Sequence, residues 1–207
     1  GSDLARGNGG HAGVGSSAYA VYAIHSSARG GMYQVWRSFF AFDTSGISSA
    51  PASATLKIYG YNTGTGDVIA VKATKPDLST GIVAADFDAI TGFSTGASMN
   101  GNVTDYSAEI SSWSTSGYND ITLNAAALSD MASLSVFAVA IVNYTYDYLN
   151  VAPSSAEERN GLYFVNQSGT SKDPYIEYAA AAAGYGNTVR QILVRLLVWL
   201  QQILINL

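Results

Sequence analysis

The side chains able to do chemistry in this chain are few and scattered. His11 and His25 are its two histidines, and both lie in a Gly/Ser-rich N-terminal stretch. Neither has a carboxylate at a helical or strand-paired spacing, which a catalytic base or a metal site requires. Asp86 and Asp88 in "ADFDAI" stand two apart and share a face if that segment is extended. A glycosidase needs two carboxylates flanking one bond, and a calcium loop needs several oxygen ligands in close spacing. Neither pattern is complete, so surface loop aspartates are the expectation. There is no cysteine, which removes disulfides, thiolate metal sites and cysteine nucleophiles together. "GNGG" and "TGTGD" lack the lysine and the helix of a phosphate loop. No catalytic residue, no metal and no cofactor is predicted.

Binding chemistry is better represented. Tyr59, Tyr61, Tyr144, Tyr146 and Tyr148 are candidates for an aromatic sugar platform, because amphipathic rings stack on the apolar faces of sugars. Tyrosine is also a common strand-surface residue, and that plainer reading weighs more at this level. A formal net charge of -5 argues against nucleic acid as a partner, since phosphate binding needs a basic surface. Three Asn-x-Ser/Thr triplets, at Asn102, Asn143 and Asn166, are near the chance number for so Ser/Thr-rich a chain.

The elements that must position these groups are strands. Only 12% of the 207 residues are charged, while Gly numbers 21 and Tyr 14. That composition suits an all-β extracellular protein better than a cytosolic enzyme. Runs rich in β-branched and aromatic residues predict strands at 18–26, 33–42, 54–61, 67–74, 118–124, 134–145, 162–165 and 175–179. In "ATLKIYGY", Leu56 and Ile58 share one face, with Thr55, Lys57 and Tyr59 on the other, the period of a sheet with one wet face. "VFAVAIV" (136–142) is apolar on both faces and predicts a central strand. "NAAALSDM" (124–131) is the one short helical segment within the domain, with Asn124 placed to cap it. Many short strands separated by Gly/Ser/Asn turns predict a jelly-roll-like β-sandwich.

The run "YQVWRSFFAFDTSGISSAPASATLKIYGY" (33–61) resembles the DNRLRE-type β-sandwich domain. Arg37, Ser38, Phe42 and Asp43 stand where that family has an Arg-Ser-aliphatic/aromatic-Phe-Asp strand, and Ala54, Thr55, Leu56 and Tyr59 match its next strand. "SGYNDITLNAAAL" (116–128) and "DPYIEYA" (173–179) are similar to its later strands. The resemblance implies a non-catalytic jelly-roll-like module of secreted, cell-surface or phage structural proteins, with some relatives classed as carbohydrate-binding. Arg37 and Asp43 match family positions, and the plainer reading, favoured over ligand binding, is a structural pair with Arg37 bonding backbone or a carboxylate at the sandwich edge. The stretch "NYTYDYLNVAPSSAEERN" departs from the family pattern.

The last twenty residues, "TVRQILVRLLVWLQQILINL", are unlike the rest. On a helix, Val189, Ile192, Leu193, Leu196, Leu197, Trp199, Leu200, Ile203, Leu204 and Leu207 fill one arc of about 160°, and Thr188 with Gln191 forms a capping box. This predicts an amphipathic C-terminal helix over 188–207, after a sandwich at 1–180 and a linker at 181–187. Burial in a bundle between copies of the chain is the favoured destination. Arg195 near the middle and polar residues at 201, 202 and 206 argue against membrane insertion. Packing back on the chain's own sandwich is the third option. The expectation is a structural, self-associating module of a virion appendage (fibre or decoration) or an extracellular filament, in a virion, cell-surface or extracellular setting. The alternative is a carbohydrate-binding module of a secreted or surface protein, with surface glycans as partners.

Overall fold

A computed structural model describes residues 17–26, 32–79, 81–152, 157–181 and 189–193. The strands are β1 (Ser17–Ser26), β2 (Met32–Trp36), β3 (Ser38–Asp43), β4 (Ser53–Gly64), β5 (Val68–Lys72), β6 (Tyr118–Thr122), β7 (Val136–Asn143), β8 (Glu157–Tyr163), β9 (Tyr175–Ala179) and β10 (Val189–Leu193). One helix, α1, runs over Ala125–Ser133. The larger sheet has the order β10-β9-β4-β8-β1-β2, with β6 also on β4; the smaller has the order β3-β7-β5. All strand pairs are antiparallel.

The all-β expectation holds, and the period-two pattern is what builds it. Along β4, Ala54, Leu56 and Ile58 turn inward and are buried, while Thr55, Lys57, Tyr59 and Tyr61 turn outward and keep partial exposure. The inward row meets Phe40, Phe42, Val139 and Ile141 of the smaller sheet, with Ile121, Leu162 and Ile176 completing one shared core. β7 is the central strand of its sheet, as its two-faced apolar run requires. Its alternate residues Ala138, Ala140 and Val142 enter a second core with Ile69, Val71, Ile90, Met99 and Tyr148. The long connection from β5 to β6 and the turn after β7 cover that second face.

Asn124 caps α1 as expected, its side chain accepting from the amides of Ala126 and Ala127. The run 33–42 is not one strand. The chain leaves the larger sheet at Trp36 and enters the smaller one at Ser38, with Arg37 between. β8 also differs from expectation. It begins at Glu157 and shares only Leu162 and Tyr163 with the predicted run 162–165. Its polar start forms a strand because β1 and β4 supply ladder partners on both edges.

The C-terminal segment needs correction at its start. Val189–Leu193 form a strand paired with β9, from Val189↔Ala179 to Leu193↔Tyr175, where a helix beginning at 188 is predicted. The open edge of β9 satisfies backbone groups that a first helical turn leaves unpaired. Leu196, Leu197, Trp199, Leu200, Ile203, Leu204 and Leu207 lie outside the described residues, as does most of the expected linker. Among the described residues no helix is long and apolar enough to cross a membrane.

Candidate functional site

Arg37 and Asp147 hold the junction between the sheets. Antiparallel pairing of β3 with β7 sets Ser38 opposite Ile141. The residue before β3 therefore lies beside the π-helical turn Tyr144–Tyr148 that follows β7. Asn143 caps that turn by accepting from the Tyr146 amide at 2.7 Å. Arg37 donates from Nε to Asp147 Oδ2 at 2.7 Å and from Nη2 to Oδ1 at 2.9 Å. A third bond, from Nη1 to the Phe87 carbonyl at 2.7 Å, ties in the β5–β6 connection. The guanidinium also lies 4.2 Å from the Phe87 ring centre and 4.3 Å from that of Phe93. Both charged side chains are 0% exposed, so this is a structural clamp with no ligand surface. Arg37 bonds both a carboxylate and a backbone carbonyl, and the carboxylate is Asp147 rather than Asp43. Asp43 instead accepts from the amide and hydroxyl of Ser45, and those bonds hold its carboxyl below the usual range.

Other candidates separate. Asp86 closes a 3-10 turn, accepting from the Val83 amide, so it and Asp88 are not on an extended segment. His25 lies on β1 opposite Tyr33, and His11 is outside the described residues. No group of three or more His, Cys, Asp or Glu among the described residues is placed to hold a metal ion. Asn143 is buried and bonded to Glu158, whereas Asn102 and Asn166 are exposed.

The five candidate tyrosines divide into two groups. Tyr144 stacks on Tyr148 at 5.3 Å and both pack into the second core. The Tyr148 hydroxyl donates to Asp105 at 2.8 Å, and Tyr146 sits on the same turn. Tyr59 and Tyr61 face outward from β4. There they join Tyr118 of β6, Tyr163 of β8 and Tyr175 of β9, which the sequence alone does not single out.

Register explains this convergence. Tyr59 pairs with Tyr118, Lys57 pairs with Tyr175, and Gly60 pairs with Leu162, which sets Tyr163 beside Tyr59. Edge-to-face contacts then run Tyr61–Tyr163 at 5.3 Å, Tyr163–Tyr59 at 5.7 Å, Tyr59–Tyr118 at 5.1 Å and Tyr118–Tyr175 at 5.2 Å. All five rings keep partial exposure. Tyr59 donates to the Ser116 carbonyl at 2.6 Å. The Tyr118 hydroxyl lies 3.0 Å from the Ser171 carbonyl, and burial pushes its phenol up. Lys172 places its ammonium 4.2 Å from the Tyr163 ring centre and 5.3 Å from that of Tyr59.

Two glycines allow this close approach. A Cβ at Gly161 would overlap the Tyr61 carbonyl, and one at Gly60 would overlap the Ser114 carbonyl. In sequence, Tyr118 and Tyr175 already show outward phase in "YNDIT" and "YIEYA". What is missing there is which strands are neighbours.

No family model matches this chain, and no curated protein or solved structure matches it either.

Proposed function

We propose that this chain is a non-enzymatic β-sandwich module of jelly-roll type, DNRLRE-like, that binds carbohydrate through its tyrosine face in an extracellular, cell-surface or virion setting. One observation carries the reading: five partly exposed tyrosines from four strands form a continuous cluster of ring contacts on the solvent side of the larger sheet. Aromatic rings give large apolar area at little entropic loss, and their hydroxyls and Lys172 supply polar contacts at the rim. The carboxylates beside the row, Asp120 and Glu177, both pair with Lys57, at 2.6 and 3.8 Å. That pairing supports recognition over glycosidic cleavage. Affinity electrophoresis against immobilised polysaccharides tests it. Binding by the native chain that is lost in Tyr59→Ala and Tyr163→Ala supports the proposal; no retardation by any polysaccharide refutes it.

Self-association through the C-terminal segment is the second reading. It is favoured by β10, which carries the start of the apolar run onto the edge of the larger sheet. Light scattering after size exclusion tests this with Leu196→Asn combined with Leu200→Asn. A fall in mass supports assembly through the segment, and an unchanged mass refutes it.

A further inference from the structure

Two strands stand end to end at one place in the larger sheet. β6 takes one side of β4 as far as Gly60, whose amide donates to the Gly117 carbonyl at 2.9 Å. β9, on Ser53–Lys57, and β8, from Gly60 onward, therefore follow one another along the other side. β10 lies beyond β9 and ends with Leu193 opposite Tyr175. β1 lies beyond β8 and begins with Ser17 opposite Tyr163. Both run in the direction of β4, so the place ahead of Leu193 in the sheet is already taken by β1. The chain after Leu193 must leave the sheet beside Tyr175 and Tyr163. One side of the sheet there is the filled core of Leu56, Ile58, Leu162 and Ile176. The other side is the tyrosine cluster, to which Tyr175 and Tyr163 themselves belong.

Residues 194–207 lie outside the described residues. Their sequence, "VRLLVWLQQILINL", has ten apolar side chains in fourteen, a run that gains by leaving water. The cluster suits it chemically. Its five rings are partly exposed, and Tyr59 and Tyr118 direct their hydroxyls at the Ser116 and Ser171 carbonyls, which leaves the ring faces as the free surface. It suits it in reach as well. The ring contacts from Tyr175 to Tyr61 cross the face in four steps of 5.1–5.7 Å. Fourteen residues span that distance even as a helix, at ~1.5 Å per residue.

We propose that the tyrosine face is the docking surface for residues 194–207 of the same chain. This is a different destination from the contact between copies described above. It also sets the segment and a polysaccharide in competition for the same rings.

Disulfide scanning tests this, because the chain has no cysteine of its own. Ser116→Cys and Ser171→Cys, both at exposed positions, put a thiol at the rim of the face without removing a ring. Ser94→Cys puts one next to Phe93, over the second core. Each is combined with Leu197→Cys or Leu204→Cys, oxidised at high dilution and mapped by mass spectrometry, with circular dichroism confirming the fold of each variant. Links within one chain should form to the 116 or 171 position and not to the 94 position. Adding Leu196→Asn and Leu200→Asn should abolish them. Links found only between chains make a second copy the occupant and overturn the proposal. Linking to the 94 position as readily as to the rim, or no linking at all, overturns it too. No outcome depends on a sugar, so the carbohydrate reading stands or falls separately by its gels.

Discussion

Arg37 and Asp147 form a two-pronged ion pair, 110 residues apart in sequence, at the point where the chain passes from one sheet to the other. Neither side chain is exposed. A buried pair of this kind need not stabilise more than apolar packing would, but breaking it strands a charge.

Asp147→Asn should therefore destabilise by about 3–5 kcal/mol. Arg37→Lys should be nearly as harmful, because an ammonium reproduces neither the fork nor the contacts with Phe87 and Phe93. Arg37→Met with Asp147→Leu should recover much of the loss. Urea unfolding followed by circular dichroism measures all three, and a harmless Arg37→Lys would show that the fork does not matter.

Gly60→Ala and Gly46→Ala make a matched contrast. A Cβ at Gly60 meets the Ser114 carbonyl, while one at Gly46 meets nothing within 4 Å. The first should lose about 1–3 kcal/mol through forced backbone movement. The second should stay within about 0.5 kcal/mol of the native chain. Thermal melts of both variants would expose an error if their midpoints coincide.

Asn124 holds the start of α1 and a loop together. Its Oδ1 accepts from two helix amides at 3.0 and 3.1 Å, and its Nδ2 donates to the Asp105 carbonyl at 2.7 Å. Asn124→Ala should destabilise by about 1–2 kcal/mol, and Asn124→Asp, which keeps the cap but loses the donor, by less. Chemical denaturation ranks the two.

Alkaline pH should unfold the protein partly through buried phenols. Burial, then a hydrogen bond to Asp130, pushes Tyr106 far above its usual value; burial and Asp105 do the same for Tyr148. In the unfolded chain both ionise near pH ~10. Their contribution is full below that pH and is lost as pH rises above it, because the unfolded state releases protons first. The melting temperature should fall as pH rises past about 10, and less steeply in Tyr106→Phe. Ultraviolet titration should show these two phenols ionising only as the fold is lost.

Much of this molecule is legible in its pattern of side chains. Leu56 and Ile58 alternate with Lys57 and Tyr59, and that alone declares which face of β4 is wet. The two-faced apolar run 136–142 declares a central strand, and Asn124 marks the start of α1. β8 is not legible, since "EERNG" has no strand signal and is held by ladders from β1 and β4. The C-terminal apolar run satisfies a helical wheel, yet Val189–Leu193 pair with β9, because apolar β-branched residues suit either state and an open edge decides between them.

The candidate site divides along the same line. That Tyr59, Tyr61, Tyr118 and Tyr175 point outward follows from the sequence, because side-chain direction in a strand is a property of its own period. That they meet one another, with Tyr163 and Lys172, is a matter of register between strands distant in the chain, and tertiary structure alone sets it. The partner of Arg37 is of the same kind. A buried guanidinium must find an acceptor. Only the antiparallel alignment of β3 with β7 determines that the acceptor is Asp147 rather than Asp43.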